Sequence, residues 1–208
     1  MNVIANTCIG ARFYQLNNME YTNPFMWSIV PADDMINLIK NFDTINFKNY
    51  KIEKSDYYNR TEFYRKQFAN ELKEPYFIFK VRIDNLVDLH FVHYRFNSKY
   101  NNKTTIDVNV FWNKIWEYVE EKYIKRIEKM LNINENPLFV ITALETDYTL
   151  EKQQQILDLD TKYKILLITD NPEKLKSNKE NIKIKKVIRP IGTCINLAKT
   201  YNNDILNF

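Results

Sequence analysis

Cysteine is the side chain of this 208-residue chain that is best suited to covalent chemistry, and the chain has two cysteines, Cys8 and Cys194. Cys8 lies in the stretch NTCIGARFYQ, next to a predicted strand-to-helix junction. A thiol just before a helix meets the partial positive charge of the helix N-terminus, which stabilises a thiolate and makes it more nucleophilic. Cys8 is therefore our candidate catalytic nucleophile. The competing interpretation is a small, buried apolar residue, and Cys194 is the second candidate nucleophile because it also precedes a predicted helix.

A nucleophilic thiol needs a base, and the two histidines, His90 and His93, both lie in the β-prone run HFVHY. In a Cys–His pair the imidazole takes the thiol proton and the thiolate attacks an acyl carbon. Because side chains alternate along a strand, the two imidazoles are predicted to point to opposite faces. Either His90 or His93 is a candidate base at this point, although each is also an ordinary strand residue, and His90 is in addition a candidate substrate contact.

Three further side chains are candidates for substrate binding: Asn6, Arg12 and Trp27. Asn6 lies beside the thiol and is alternatively a turn residue. Trp27, with Trp112 and Trp116, is predicted either to stack on sugars or to pack in the core.

Several common sites are missing from the sequence. It contains neither GxGxxG, nor a Walker loop, nor GxSxG, and its two glycines, Gly10 and Gly192, do not suffice for a glycine-rich phosphate loop. With two histidines and no CxxC or HxxxH spacing, a zinc site is not expected. We therefore predict no cofactor and no metal.

Composition predicts a folded protein without a membrane span. The hydrophobic fraction of 45% and the aromatic fraction of 14% exclude a disordered chain, and the length suits one domain over residues 1–208. No apolar run is long enough for a bilayer, and the N-terminus lacks a basic region, so we expect a cytoplasmic location. The net charge is +4, and the basic residues are scattered along the chain rather than gathered in a stripe, which does not favour nucleic-acid binding. The pattern does not fix an oligomeric state.

The order of predicted elements gives the fold class. A strand at residues 2–5 precedes a helix that starts near Thr7 as N-cap, and Pro31 opens a second helix. Residues 76–96 read as a hairpin. The other predictions are helices at 61–72, 107–131, 150–159 and 194–201 and strands at 138–144, 163–169 and 184–188. The alternation after residue 137 favours a parallel sheet. We expect a three-layer α/β/α fold whose mixed sheet has a parallel C-terminal half and a central antiparallel hairpin.

Several short motifs resemble an uncharacterised bacterial family, the domain of unknown function nineteen-nineteen, whose members are often labelled exopolysaccharide biosynthesis proteins. The shared features are residues 6–10 (NTCIG), Tyr14, residues 23–25 (NPF), the proline-started helix and residues 90–94 (HFVHY). The resemblance covers most of the chain, as far as residues 138–143. Ile9 stands where the family usually has tryptophan, and Ala11 where it has a second glycine.

Residues 24–27, PFMW, are also similar to the PFDW element of a neighbouring family described as papain-like cysteine peptidases, with Met26 in place of the acid. This second resemblance implies that Cys8 is the nucleophile and His93 the base. The leading hypothesis is a cytoplasmic enzyme of surface-polysaccharide biosynthesis that uses a Cys–His pair for acyl transfer, glycosyl transfer or hydrolysis on a small-molecule or glycan substrate. The alternative is a non-catalytic glycan-binding or protein-interaction module with a structural cysteine.

Overall fold

The computed structural model describes residues 1–55, 77–96, 108–143, 147–187 and 194–208, and the side chains at positions 77, 92–96 and 108–111 lie outside this description. The strands are β1 (Val3–Ala5), β2 (Tyr50–Ser55), β3 (Phe77–Ile83), β4 (Val87–Phe96), β5 (Leu138–Thr142), β6 (Lys164–Thr169) and β7 (Ile182–Lys186). The α-helices are α1 (Ile9–Leu16), α2 (Ala32–Asn41), α3 (Val108–Tyr118), α4 (Lys125–Leu131), α5 (Leu150–Asp158), α6 (Cys194–Thr200) and α7 (Asn202–Leu206). The helix predicted at 61–72 and a capping role for Asp107 fall outside the described residues.

Four strands form a parallel sheet in the order β1-β5-β6-β7. β5 has the sequence LFVIT and is buried along its whole length. A strand with helices on both faces of its sheet has no polar face to present, so its sequence is continuously apolar rather than alternating. The continuous apolar run is therefore the sequence feature that allowed the parallel half of the sheet to be predicted.

Alternate side chains of the parallel sheet enter two different hydrophobic clusters. Ile4, Phe139 and Ile165 belong to the larger cluster, which also contains residues of α2 and α5. Val3, Val140 and Leu166 belong to the second cluster, which contains residues of α1, α6 and α7. The sheet therefore has helices on both faces, and the predicted three-layer α/β/α arrangement is confirmed.

The remaining described strands form an antiparallel sheet in the order β2-β3-β4. The hairpin between β3 and β4 turns at Asp84 and Asn85, both at positive φ (50° and 55°), a conformation that Asp and Asn tolerate better than most residues. The predicted central hairpin is confirmed. Within the described part of the chain it lies in a sheet of its own rather than beside the parallel strands. One apolar face of this sheet, including Phe79 and Leu89, joins the larger cluster, and a single domain over residues 1–208 stays our prediction.

Three element boundaries differ from those expected. The long helix contains a π-helical segment, Val119–Ile124, between α3 and α4. β7 begins two residues before the predicted strand at 184–188, at Ile182. The N-cap of α1 is Cys8, one residue after the predicted Thr7, while the Thr7 hydroxyl accepts from the amide of Ile9 at 3.5 Å and is hydrogen-bonded to the hydroxyl of Thr142 at 3.1 Å.

Candidate functional site at the carboxyl edge of the parallel sheet

The chain leaves β1 at Ala5 and passes through Asn6 and Thr7 to Cys8, at the edge of the parallel sheet where the strands have their carboxyl ends. Open α/β sheets bind ligands at this edge. α1 follows at once and lies very close to β1, since a Cβ on Gly10 would be 3.0 Å from the Cβ of Ala5. Gly10 thus allows α1 to approach the sheet, and this approach sets the position of Cys8.

Asn6 is fully buried and continues the pairing of β1 with β5 through its side chain. Its Nδ2 donates to the carbonyl of Thr142 at 3.0 Å, and its Oδ1 accepts from the backbone amide of Thr142 at 2.9 Å. Its own backbone carbonyl accepts from the amide of Val30 at 3.0 Å. The predicted substrate contact of Asn6 stays a prediction, but the structure gives both polar groups of this side chain a partner inside the protein.

The Cys8 thiol contacts the side chain of Cys194. A hydrogen bond joins the two side chains, and both cysteines are partly exposed. This hydrogen bond, burial and the charge of Cys194 raise the pKa of the Cys8 thiol, while the nearby charge of Arg12 acts in the opposite direction. In such a pair the first thiolate accepts from the remaining thiol, so the second proton is held more tightly than the first.

Arg12 and Trp27 form a pair beside this thiol. The guanidinium of Arg12 lies 4.7 Å from the centre of the Trp27 ring, in cation–π geometry, and also donates to Oε1 of Gln15 at 2.7 Å. Trp27 has φ of 65°, a left-handed conformation that is costly for a large side chain. Backbone strain of this kind is concentrated at functional sites, which favours the Arg12–Trp27 pair as a ligand-binding position. Arg12 thus lies near enough to Cys8 for its charge to act on the thiol, and it contacts the face of Trp27.

The three tryptophans do not share one environment. Trp27 packs against the second hydrophobic cluster, whereas Trp112 packs against the larger one on the other face of the sheet. Trp116 is 56% exposed. A stacking surface made of all three side chains is therefore not supported.

His90 lies on β4 and is buried. Its Nδ1 is 2.6 Å from the hydroxyl oxygen of Ser55, and which atom donates depends on the tautomer. Its backbone exchanges hydrogen bonds with Ile29, at 2.8 and 2.9 Å. Because the next residue, Val30, is bonded to Asn6, this short segment connects β4 to the end of β1. The predicted role of His90 in substrate binding stays untested, and the side chain of His93, the predicted base, lies outside the described residues.

A charged cluster that the sequence analysis did not identify lies near His90 on the antiparallel sheet. Asp88 accepts hydrogen bonds from Lys80 at 2.7 Å and from Arg82 at 2.8 Å. Burial opposes the charge of Asp88, but these hydrogen bonds outweigh it and hold its pKa below the usual carboxyl value. Asp34 of α2 accepts from the backbone amide of Asp88 at 3.2 Å, and burial followed by repulsion from Asp88 raises the pKa of Asp34 to about 7.

Sequence alternation contained part of this signal. Lys80, Arg82, Asp88 and His90 occupy one face of the hairpin once its register is known, since Arg82 pairs with Asp88 and Lys80 with His90. The approach of Asp34 depends on where α2 packs, which the hairpin pattern does not contain.

Two depressions in the described surface lie at the other edge of the parallel sheet. One, of about 270 Å³, is lined by residues that include Phe47 and Tyr163. The second, of about 340 Å³, is lined by residues that include Met1, Lys164 and Phe208. Neither contains the predicted site residues.

Within the described ranges, no group of three or more His, Cys, Asp and Glu side chains is placed to hold a metal ion. None of the described helices combines the length and apolar character needed to cross a membrane. No protein-family model matches this chain, and no curated protein matches it significantly. The resemblance to the bacterial family of unknown function stays a prediction from short motifs.

Proposed function

We propose that this protein is a cytoplasmic, thiol-dependent enzyme of surface-polysaccharide biosynthesis, with its site at the carboxyl edge of the parallel sheet. The observation that carries the proposal is the convergence of Cys8, Arg12 and Trp27 beside the end of β1. The polysaccharide context comes from the motif resemblance, and the cytoplasmic location is supported by two neighbouring cysteines that are not joined by a disulfide, a state that a reducing compartment preserves.

Each of the three side chains has a distinct role in this proposal. The Cys8 thiolate attacks the carbonyl carbon of an acyl group or the anomeric carbon of a sugar, and the leaving oxygen departs with the bonding electron pair and takes up a proton. Arg12 attracts a negatively charged group of the substrate, and the face of Trp27 packs against a sugar ring. His93 is the base by the implication of the papain-like resemblance alone.

A second candidate function is glycan binding without catalysis. The raised pKa of Cys8 favours it, because a thiol that keeps its proton is a poor nucleophile. In this alternative Arg12 and Trp27 form the binding surface and Cys8 is structural.

Acetyl transfer from p-nitrophenyl acetate distinguishes the two functions, because this ester is a general acyl donor. The enzyme hypothesis predicts release of nitrophenolate together with an acetylated Cys8 peptide in the mass spectrum. The Cys8→Ser variant should show neither, and Arg12→Ala, which removes the nearby positive charge, should acetylate more slowly. Acetylation confined to lysines, at the same rate in wild type and Cys8→Ser, would reject Cys8 as the nucleophile.

Binding is measured separately, by calorimetry with an oligosaccharide that contains a uronic acid. Both functions predict weaker binding by Arg12→Ala, but only the binding function predicts unchanged affinity in Cys8→Ser together with no acetyl transfer in wild type. Glu20→Ala changes an exposed surface residue and is the control for both assays. Equal affinity of wild type and Arg12→Ala would remove the support for a site at this edge.

A further inference from the structure

The two cysteines lie at the N-terminal ends of two neighbouring helices. Cys8 is the N-cap of α1, and Cys194 is the first residue of α6. Both helices contribute to the second hydrophobic cluster, α1 through Ile9 and Phe13 and α6 through Leu197 and Ala198. They therefore pack on the same face of the parallel sheet.

The other ends of these helices are also joined. Asn17, which follows α1, donates from Nδ2 to Oδ1 of Asn202, which follows α6, at 2.7 Å. Since the starts and the ends both meet, α1 and α6 run side by side in the same direction. The contact of the two thiols is thus a consequence of helix packing along the whole length of α1.

We propose that Cys8 and Cys194 form a redox-active dithiol that a small-molecule disulfide converts into an intramolecular disulfide. The two side chains are already in hydrogen-bond contact, so the closing step needs little movement. Both are partly exposed, which allows a small disulfide to reach them. The proposal does not depend on the proposed catalytic function.

The reaction proceeds by two thiol–disulfide exchanges. The Cys194 thiolate attacks one sulfur of the small disulfide, whose S–S bond breaks, and the first small thiolate leaves with the electron pair. Cys8 then gives its proton to that thiolate and attacks Sγ of Cys194, which expels the second small thiolate. Two electrons pass from the protein to the small disulfide, which ends as two thiols. The same two exchanges with Cys8 as the first attacking thiolate give the same disulfide and the same balance of electrons and protons.

Disulfide formation would join the start of α1 covalently to the start of α6. It would also remove the free Cys8 thiol from the carboxyl edge. Oxidation would therefore abolish any reaction in which Cys8 is the nucleophile, and reduction would restore it.

The test uses the reduced, full-length protein and oxidised glutathione as the small disulfide. The expected product has lost the mass of two hydrogen atoms, carries no glutathione, and yields a proteolytic peptide pair that joins Cys8 to Cys194. Dithiothreitol should return both thiols. Cys8→Ser and Cys194→Ser should each stop at a stable mixed disulfide with one glutathione.

Three outcomes would overturn the proposal. The first is a wild-type protein that carries one or two glutathiones and yields no joined peptide. The second is a wild-type protein that forms only disulfide-linked dimers, and the third is one whose two thiols stay unreacted at every ratio of oxidised to reduced glutathione. Because each of these outcomes is measured on the wild-type protein, the test does not depend on whether a serine variant folds.

Discussion

Replacement of Asn6 by alanine tests whether the end of β1 is held by a side chain. In the native protein both Asn6 polar groups pair with the backbone of Thr142 in a fully buried site. Asn6→Ala leaves the amide and the carbonyl of Thr142 without these partners. Asn6 Oδ1 also accepts from the Thr142 hydroxyl at 3.2 Å, but that hydroxyl keeps its hydrogen bond to Thr7, so the groups left without these partners are the two backbone groups.

The size of the effect follows from those two groups. A buried polar group that loses its partner costs about 1–3 kcal/mol, so for two groups the free energy of unfolding should fall by about 2–6 kcal/mol. With a urea m-value of about 2.5 kcal/mol/M, the unfolding midpoint should move down by about 1–2 M. Urea titration followed by circular dichroism measures both the midpoint and the m-value.

Asn207→Ala is the matched control, because the Asn207 side chain also donates to a backbone carbonyl, that of Asn203, but at an exposed site. Its cost should stay within about 0.5 kcal/mol. If Asn6→Ala cost no more than this control, the structural account of Asn6 would be refuted. A loss of ligand binding with unchanged stability would instead support the substrate contact predicted from the sequence.

Three further substitutions test other parts of the structure. The pKa of Asp34 in the folded protein is raised to about 7, so the contribution of Asp34 to the free energy of unfolding is full below about pH 4 and is lost as the pH rises to about 7. Asp34→Asn should remove this pH-dependent loss, which amounts to at most about 4 kcal/mol. Urea titrations at several pH values measure it, and the same pH dependence in both proteins would contradict the raised pKa. Gly10→Ala should lower the free energy of unfolding by about 1–3 kcal/mol, because the new methyl group overpacks against Ala5. Adding Ala5→Gly to this variant should recover most of the lost stability in thermal melts. A Gly10→Ala protein more stable than wild type would exclude the close packing of α1 on β1. Tyr14→Phe removes a buried hydroxyl that accepts from the amide of Val3, the first residue of β1, at 3.0 Å. The free energy of unfolding should fall by about 1–3 kcal/mol, and a urea midpoint equal to that of wild type would contradict this.

The two chemical proposals concern the same thiol but are independent. Acetyl transfer tests whether Cys8 can act as a nucleophile, whereas the joined peptide tests whether Cys194 can reach it. A protein that forms the disulfide but transfers no acetyl group would be a redox-active binding protein. One that does both would be an enzyme that oxidation inactivates.

Local patterns determined much of the fold. The continuous apolar run of β5 predicts a buried parallel strand because no polar side chain interrupts it. Asp84 and Asn85 predict a turn because their side chains tolerate positive φ. The acids Asp33 and Asp34 after Pro31 predict the start of α2 through the helix dipole. All of these signals lie within a few residues of the element that they specify.

Tertiary packing decided the candidate site. The sequence placed Cys8 at the start of a helix and identified Arg12 and Trp27 as candidates, but the partner of Cys8 is Cys194, from the other end of the chain. Asn6 beside the thiol suits a turn, a ligand contact or a structural hydrogen bond; the position of Thr142 supplies the structural hydrogen bond, and the ligand contact stays a prediction. The physical reason is that periodicity and capping depend on neighbours along the chain, whereas a hydrogen bond between distant residues depends on which face of the sheet each helix covers.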